Sequence, residues 1–406
     1  MDSLITAAGR ALASGDLLGA LKLVALRNDA PALALRGIAM ARLGDFERAK
    51  VLLKRAAKAF SPKEAVARAR CVIALAEIAL VSRDLGWQAK PFELALRVLE
   101  THEDFLNAAH ARLIQVRRLV LIGKLSEAER TLSALDPSPL PPTLQAGYEL
   151  AAAGVAIRRV HVAVAEQALA RAKTAARKAG ISALVAEIEN ASLVLKAPAA
   201  RLVSQDEKRP LALAEVEALL ATDMVIVDGC RHRVRHKNSI ISLSSRPVLF
   251  VLVRALAEAW PGEVSRNALV TRTFRGKQAN ESYRARLRVE TGRLRRTLRA
   301  VAGIHATGNG FALVTRRNQR VVVLAPPFEG DNAALLALLS DGESWSSSAL
   351  GLALGASQRT VQRGLDSLAE SGKVHAFGRG PARRWTASPL PGITTTLLLP
   401  VSLPSD

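Results

Sequence analysis

The sequence predicts a mostly α, multidomain protein: a helical first half followed by two smaller domains in which helices alternate with β-hairpins. Three observations lead there. From Leu4 to Lys196 apolar residues recur at helical spacing with only short breaks. Beyond residue 222 the period shortens to two, in runs such as Met224-Val225-Ile226-Val227. Charge is also unevenly spread: residues 231–320 hold 20 Lys and Arg against 4 Asp and Glu, whereas residues 331–406 hold 6 of each. A chain of 406 residues is too long for one core. It is 49% hydrophobic but only 4% aromatic, so Ala and Leu fill the interior and favour helices. The expected boundaries are 1–200 for the helical domain, 201–222 for a helical linker, and 223–327 and 328–406 for the two mixed domains.

Within the helical half one phrase marks three turns: Gly15-Asp16-Leu17 with Ala20, Gly44-Asp45-Phe46 with Ala49, and Gly123-Lys124-Leu125 with Ala128. A left-handed glycine closes the first helix, and the alanine lets the second pack closely. The stretch ALRGIAMARLGDFERAKVLLKRAAKAF is the best copy, and it resembles the helix-turn-helix joint of tetratricopeptide-like repeats. The first two turns are 29 residues apart and the third lies 79 further on, so intervening units are hidden. Stacked helix pairs of this kind imply a groove for a protein or peptide partner.

Periodicity lapses from Ala197 to Pro210, which reads as a linker, and Leu211–Leu220 reads as a short helix. Strands are expected at 224–229, 231–236 and 239–243. Ser244 or Ser245 is placed to cap a helix with Pro247 in its first turn, and Ser265 to cap the next, Arg266 to Thr273. A loop through Gly276 leads to a long helix, Glu281 to Val301. After it, Gly308-Asn309-Gly310 marks a tight hairpin.

The long helix carries the chemistry. At 100° per residue Tyr283, Leu287, Thr291, Leu294, Leu298 and Val301 form one apolar stripe for the core. The opposite line is Ala285, Val289, Gly292 and Arg296, flanked by Arg286 and Arg293 on one side and Arg288 and Arg299 on the other. Seven arginines share the segment with two acids, so nothing local is expected to neutralise them. A mid-helix glycine costs roughly 1 kcal/mol against alanine, and close approach of a partner is a reason to accept it. A low ridge fenced by guanidinium groups matches the DNA major groove, where arginine reads guanine in a fork and small apolar groups meet thymine methyls. The plain alternative is a solvated arginine face.

The order of strands, two helices, basic helix and hairpin, with ISLSSRPVLFVLVRALAE, VSRNALV, RVETGRLRRTLR and GNGFALV, resembles the winged-helix DNA-binding domain of OmpR/PhoB-type response regulators. The resemblance covers about a quarter of the chain. It implies a recognition helix in the major groove and a wing on the neighbouring minor groove or backbone. Carried onto this sequence, it makes Arg286, Arg288, Val289, Gly292 and Arg293 groove-facing, with Asn309 a contact at the wing tip. Arg296, on the same face, is expected to hold a phosphate, and Arg284 on the same helix is counted among the expected DNA-binding residues. Two departures stand out. No receiver domain precedes it, so phosphorylation is not implied as the trigger, and Phe311 stands where tyrosine is usual.

In the last segment Asn332–Leu339 reads as helical. Ser346-Ser347-Ser348 and Ser357 open two further helices, and a strand pair follows around Gly378-Arg379-Gly380-Pro381. The phrase LGLALGASQRTVQRGLDSLAESGKV resembles the helix-turn-helix of bacterial winged-helix repressors. The outward helix face begins with Arg359 and Arg363, and these, with Arg379 in the strand turn, are the residues expected to make a second DNA contact. The same face carries Asp366 and Glu370, and the segment is neutral, so a docking or dimerisation role is its rival. Ile393–Val401 is a β-prone tail.

No enzyme chemistry emerges. Cys230, His232 and His236 lack a fourth ligand and sit between arginines, so no metal is expected, and no motif calls for a cofactor. Two distant cysteines, no signal peptide and no long apolar run predict a cytoplasmic, bacterial-type protein without membrane attachment, associated with the nucleoid when on DNA. The expected function is sequence-specific binding of double-stranded DNA in transcription regulation. The expected partners are duplex DNA, a protein or peptide on the helical repeats, and a second copy of the chain. The alternative is a helical scaffold whose winged helices dock on proteins without reading DNA.

Overall fold

Helical periodicity over the first 196 residues produces eleven α-helices in the computed structural model, which describes residues 2–205, 207–243, 245–274, 281–316, 319–327, 332–339, 344–380 and 383–387. They are α1 (Ser3–Ala13), α2 (Leu17–Val24), α3 (Ala30–Arg42), α4 (Phe46–Ala59), α5 (Ala65–Val81), α6 (Ala89–Thr101), α7 (Phe105–Leu121), α8 (Leu125–Ser133), α9 (Pro142–Arg159), α10 (Val162–Ala179) and α11 (Ser182–Lys196). Consecutive helices pack as α1–α2, α3–α4, α5–α6, α7–α8 and α9–α10.

The expected glycine turns are left-handed, with φ of 85° at Gly15, 86° at Gly44 and 78° at Gly123. Ala20, Ala49 and Ala128 behind them are buried. Two further joints explain the gaps in spacing. Arg83 (φ 47°) turns α5 into α6, and Val160 (φ 63°) turns α9 into α10. In all five the second residue of the turn donates its N–H to a carbonyl five residues back: Asp16 to Ala11 (2.8 Å), Asp45 to Met40 (3.0 Å), Asp84 to Ala79 (2.7 Å), Lys124 to Leu119 (2.9 Å) and His161 to Ala156 (2.9 Å). That bond satisfies a helix-end carbonyl and reverses the chain whatever the side chain. Arginine and valine rarely adopt this conformation, so these two hinges carry no sequence signal. A polar pair is buried between the helix pairs as well: His110 Nε2 lies 3.1 Å from Glu77 Oε2, both nearly inaccessible.

The chain then divides into two compact units, Val194–Ala337 and the remainder, Met1–Leu193 with Leu338–Asp406. The Val194–Ala337 unit begins with β1 (Pro198–Val203), β2 (Lys208–Ala212) and α12 (Leu213–Leu220). The helical linker expected over 201–222 is corrected in part: its first half is a strand hairpin belonging to a sheet, whereas the short helix expected at Leu211–Leu220 is present as α12. Leu202 and Val203 are buried, and β1 pairs antiparallel with a strand more than a hundred residues away. Pro198 opens β1 and Pro210 sits on the edge strand β2, positions where proline breaks no ladder.

Next come β3 (Val225–Asp228), β4 (Arg233–His236), β5 (Ser239–Ser242), α13 (Pro247–Glu258), β6 (Glu263–Ser265), α14 (Arg266–Phe274), α15 (Glu281–Leu298), β7 (Ala302–Ala306), β8 (Gly310–Thr315) and β9 (Val321–Ala325). Six strands form one sheet in the order β2-β1-β9-β3-β4-β5, and three form another in the order β6-β8-β7. β9 is an addition to the expected strands. Its run Val-Val-Val-Leu-Ala is buried throughout, as suits a strand paired on both sides, antiparallel to β1 and parallel to β3. Ser265 caps α14 as expected, accepting from the Ala268 N–H at 3.2 Å. α13 differs: its N-cap is Arg246, with Pro247 first in the helix and no side-chain cap bond, and Ser244 lies outside the described residues. The loop through Gly276 lies outside them too.

The last elements are α16 (Ala333–Leu339), α17 (Ser347–Leu354), α18 (Gln358–Glu370), β10 (Val374–Phe377) and β11 (Arg384–Ala387). Ser346 and Ser357 cap α17 and α18 as expected. Trp345 and Trp385, both buried, exchange backbone bonds of 2.8 Å and anchor β11 to the start of α17. The tail at Ile393–Val401 lies outside the described residues. The segment expected to stand alone as 328–406 is instead grouped, from Leu338, with the helix pairs. Ser346 Oγ donates to the Arg83 carbonyl at 3.2 Å, and the Arg83 guanidinium lies over Trp345 at 5.5 Å.

Candidate nucleic-acid interface

Leu287, Thr291, Leu294 and Leu298 of α15 are buried, and Tyr283 stacks on Phe274 with ring centroids 5.7 Å apart. Helical rotation then forces the opposite line outward. Ala285 and Arg296 are exposed, and Val289 keeps 53% of its surface accessible. A β-carbon built on Gly292 would meet no atom within 4 Å. The ridge is therefore accessible, and the glycine is not demanded by packing inside its own protein.

The arginines are less unaccompanied than expected. Glu281 lies 3.9 Å from Arg284 and 3.6 Å from Arg288, and Arg293 donates to Glu290 at 2.8 Å. The expectation that nothing local neutralises them is corrected, because neighbours one or two turns apart share a helix face. Solvent-exposed pairs are each worth about 1 kcal/mol or less, so they yield readily to a stronger anion. Arg286 lies over the Phe274 ring at 4.8 Å, which holds its otherwise exposed side chain by a cation–π contact. Arg295 donates to the Ile304 carbonyl at 2.7 Å and ties the helix to β7.

Two clefts adjoin α15. One, of about 380 Å³, brings Arg284 and Arg288 together with Arg266 and Asn309. The other, of about 630 Å³, brings Arg293 and Arg296 together with Arg246 and Thr297, beside the start of α13. Among the described residues Arg296 has no acidic partner within ion-pair distance. Glu281 and Glu290 stand in these clefts as well, one in each.

Arg246, Arg266 and Thr297 join the site beyond the residues expected from the sequence. The usable signal was position: Arg246 is the N-cap of α13 and Arg266 the first residue of α14, where a cation opposes the helix dipole. Arg266 also braces the hairpin turn. It donates to the carbonyls of Gly308 (2.8 Å) and Thr307 (3.0 Å), and its guanidinium lies over Phe311. A β-carbon on Gly310 would sit 1.8 Å from the Val264 carbonyl oxygen, so only glycine lets β8 pass this close to β6.

Arg359, Arg363 and Arg379 are exposed but belong to the other compact unit. Asp366 and Glu370 share the exposed face of α18, and Gln362 donates to Asp366 at 2.9 Å. The histidines set aside as metal ligands have packing partners. The His232 ring lies 4.5 Å from that of Phe250, and His236 meets Asp223 at 2.7 Å. Hydrogen bonds from His236 and Lys237 hold the Asp223 carboxyl below its ordinary range. Among the described residues no group of His, Cys, Asp and Glu is arranged to hold a metal, and no helix is long and apolar enough to cross a membrane.

Comparison with family models, with curated proteins and with solved structures finds no match to this chain in any of the three.

Proposed function

We propose that the Val194–Ala337 unit is a winged-helix domain that binds double-stranded DNA by sequence, and that the protein regulates transcription. α15 is the recognition helix, and the β7–β8 hairpin is the wing. One observation carries this reading: a low-relief line of exposed Ala285 and Val289 and half-buried Gly292 runs along a helix whose arginines gather in clefts with Arg246, Arg266 and Asn309. A helix that served only as a solvated surface would have no use for a glycine there. Small groups let the helix approach base edges, while arginines on either side meet phosphates or guanines. The helix pairs of the other unit take a protein or peptide partner, in the manner of tetratricopeptide-like repeats.

The test is selection of bound sites from a random duplex library by the full chain, followed by gel shifts over a salt series. An enriched site with a steep salt dependence is expected. A steep dependence without enrichment would leave only nonspecific binding, and a shallow one without enrichment would favour a scaffold.

A docking role rather than a second DNA contact is the better reading of the C-terminal module. The Ser346–Arg83 hydrogen bond and the stacking of Arg83 on Trp345 attach it to the α5–α6 turn, and its α18 face mixes Arg359 and Arg363 with two acids.

A further inference from the structure

A cleft of about 500 Å³ opens between α4, α5 and α6, and its remaining wall is Arg384 of β11. Its floor is apolar: Leu75 and Ala79 of α5, with Trp87 and Phe92, whose rings lie 6.2 Å apart. Trp87 is held from behind by the Arg118 guanidinium, 4.9 Å from the ring, and Arg118 is itself fixed by donating to the Leu85 carbonyl at 3.1 Å. The rim is cationic. α4 carries Arg48, Lys50, Lys54, Arg55 and Lys58 against the single acid Glu47, and the cleft itself is lined by three cations, Lys50, Lys54 and Arg384, and two acids, Glu47 and Asp84. Glu47 is engaged with Lys50 at 3.0 Å, which leaves Lys54 exposed at the edge.

We propose that this cleft is the protein's peptide-binding site, that its occupant is an acidic segment of a partner protein anchored by an aromatic or leucine side chain, and that the C-terminal module completes the site through Arg384. The inference rests on the reading of the helix pairs as the partner-binding half and deepens it. The occupant follows from complementarity. An aromatic-lined recess takes one large apolar side chain, and the excess of cations contributed by α4 and β11 selects carboxylates beside it. A rigid duplex does not enter a recess of this size, which separates this surface from the arginine face of α15. The module's attachment through Ser346 and Arg83 then serves recognition, because it brings Arg384 to a cleft that α4–α6 alone would leave open on one side.

The test uses the full chain. A random dodecapeptide library displayed on phage is panned against the wild-type protein and against Lys54→Glu, Arg384→Glu and the double variant, and the most enriched peptide is measured by fluorescence anisotropy. Lys54 is exposed on a helix, so its reversal leaves the fold intact, and circular dichroism checks the others. The expected result is enrichment of Asp and Glu around one aromatic or leucine, with roughly tenfold weaker binding to each single variant. Enrichment of peptides without acidic bias, or equal binding to all variants, would overturn the proposal while leaving a partner-binding helical half in place. No enrichment at all would overturn both. Competition by duplex DNA at the same site would also overturn it.

Discussion

Arg266 donates to the Gly308 carbonyl at 2.8 Å, joining the first residue of α14 to the turn between β7 and β8 across 42 positions of sequence. With the bond to Thr307 and the stacking on Phe311, it fixes the hairpin tip beside α15. In the proposed winged helix such a residue would act on DNA through the wing it holds. Arg266→Ala is expected to lower stability by about 1–2 kcal/mol and to weaken duplex binding, with the loss confined to bases at the flank of the enriched site. Melting curves and binding to flank-substituted duplexes measure the two effects. Loss spread evenly over the site would mean that the turn does not touch DNA.

Gly292→Ala separates folding from binding. With open space at the β-carbon, alanine should stabilise α15 by about 0.5–1 kcal/mol. If the ridge lies against base edges, the same methyl group pushes the helix outward and affinity falls. A higher melting temperature together with a weaker gel shift is the expected pair of results. Unchanged affinity would mean that the glycine serves no close approach to DNA.

Arg293 and Arg296 line one cleft but differ in their company, since Arg293 is held by Glu290 and Arg296 is not. Arg293→Ala is expected to cost about 1–3 kcal/mol and relax preference at one position of the site. Arg296→Ala should weaken all sequences alike and reduce the salt slope by about 1, as for a phosphate contact. Isothermal titration on specific and random duplexes at several salt concentrations distinguishes them. Identical behaviour of the two variants would reject the separate roles.

In the helix pairs, Glu103 is exposed and held at φ 58° between α6 and α7. A non-glycine residue in that region carries a strain of roughly 1–2 kcal/mol. Glu103→Gly should therefore raise stability by about 1 kcal/mol, read from urea unfolding. Gly44→Ala, at φ 86°, should lower it by a similar amount. If both substitutions lowered stability, the left-handed turns would not be the source of strain.

The parts legible in the sequence are those set by local bonding. The turns at Gly15, Gly44 and Gly123, the caps at Ser265, Ser346 and Ser357, and the buried stripe of α15 all follow from residues within a few positions of one another. The outward ridge with Val289 and Gly292 follows from that stripe by rotation alone. Arg83 and Val160 escape such a reading because their side chains disguise a turn made by backbone hydrogen bonds.

Tertiary structure decided what depends on distant pairing. Arg201 of β1 lies opposite Ala325 of β9, and that register turns an apparent linker into sheet. The partners that gather around Asn309 and Arg296 are supplied by α13 and α14, and the last module joins the helix pairs through Ser346 and Arg83. Helix periodicity and capping are encoded within a turn or two of chain, so a sequence displays them directly. Strand partners and cleft walls are chosen by burial of surfaces far apart along the chain, and only the folded molecule brings those surfaces together.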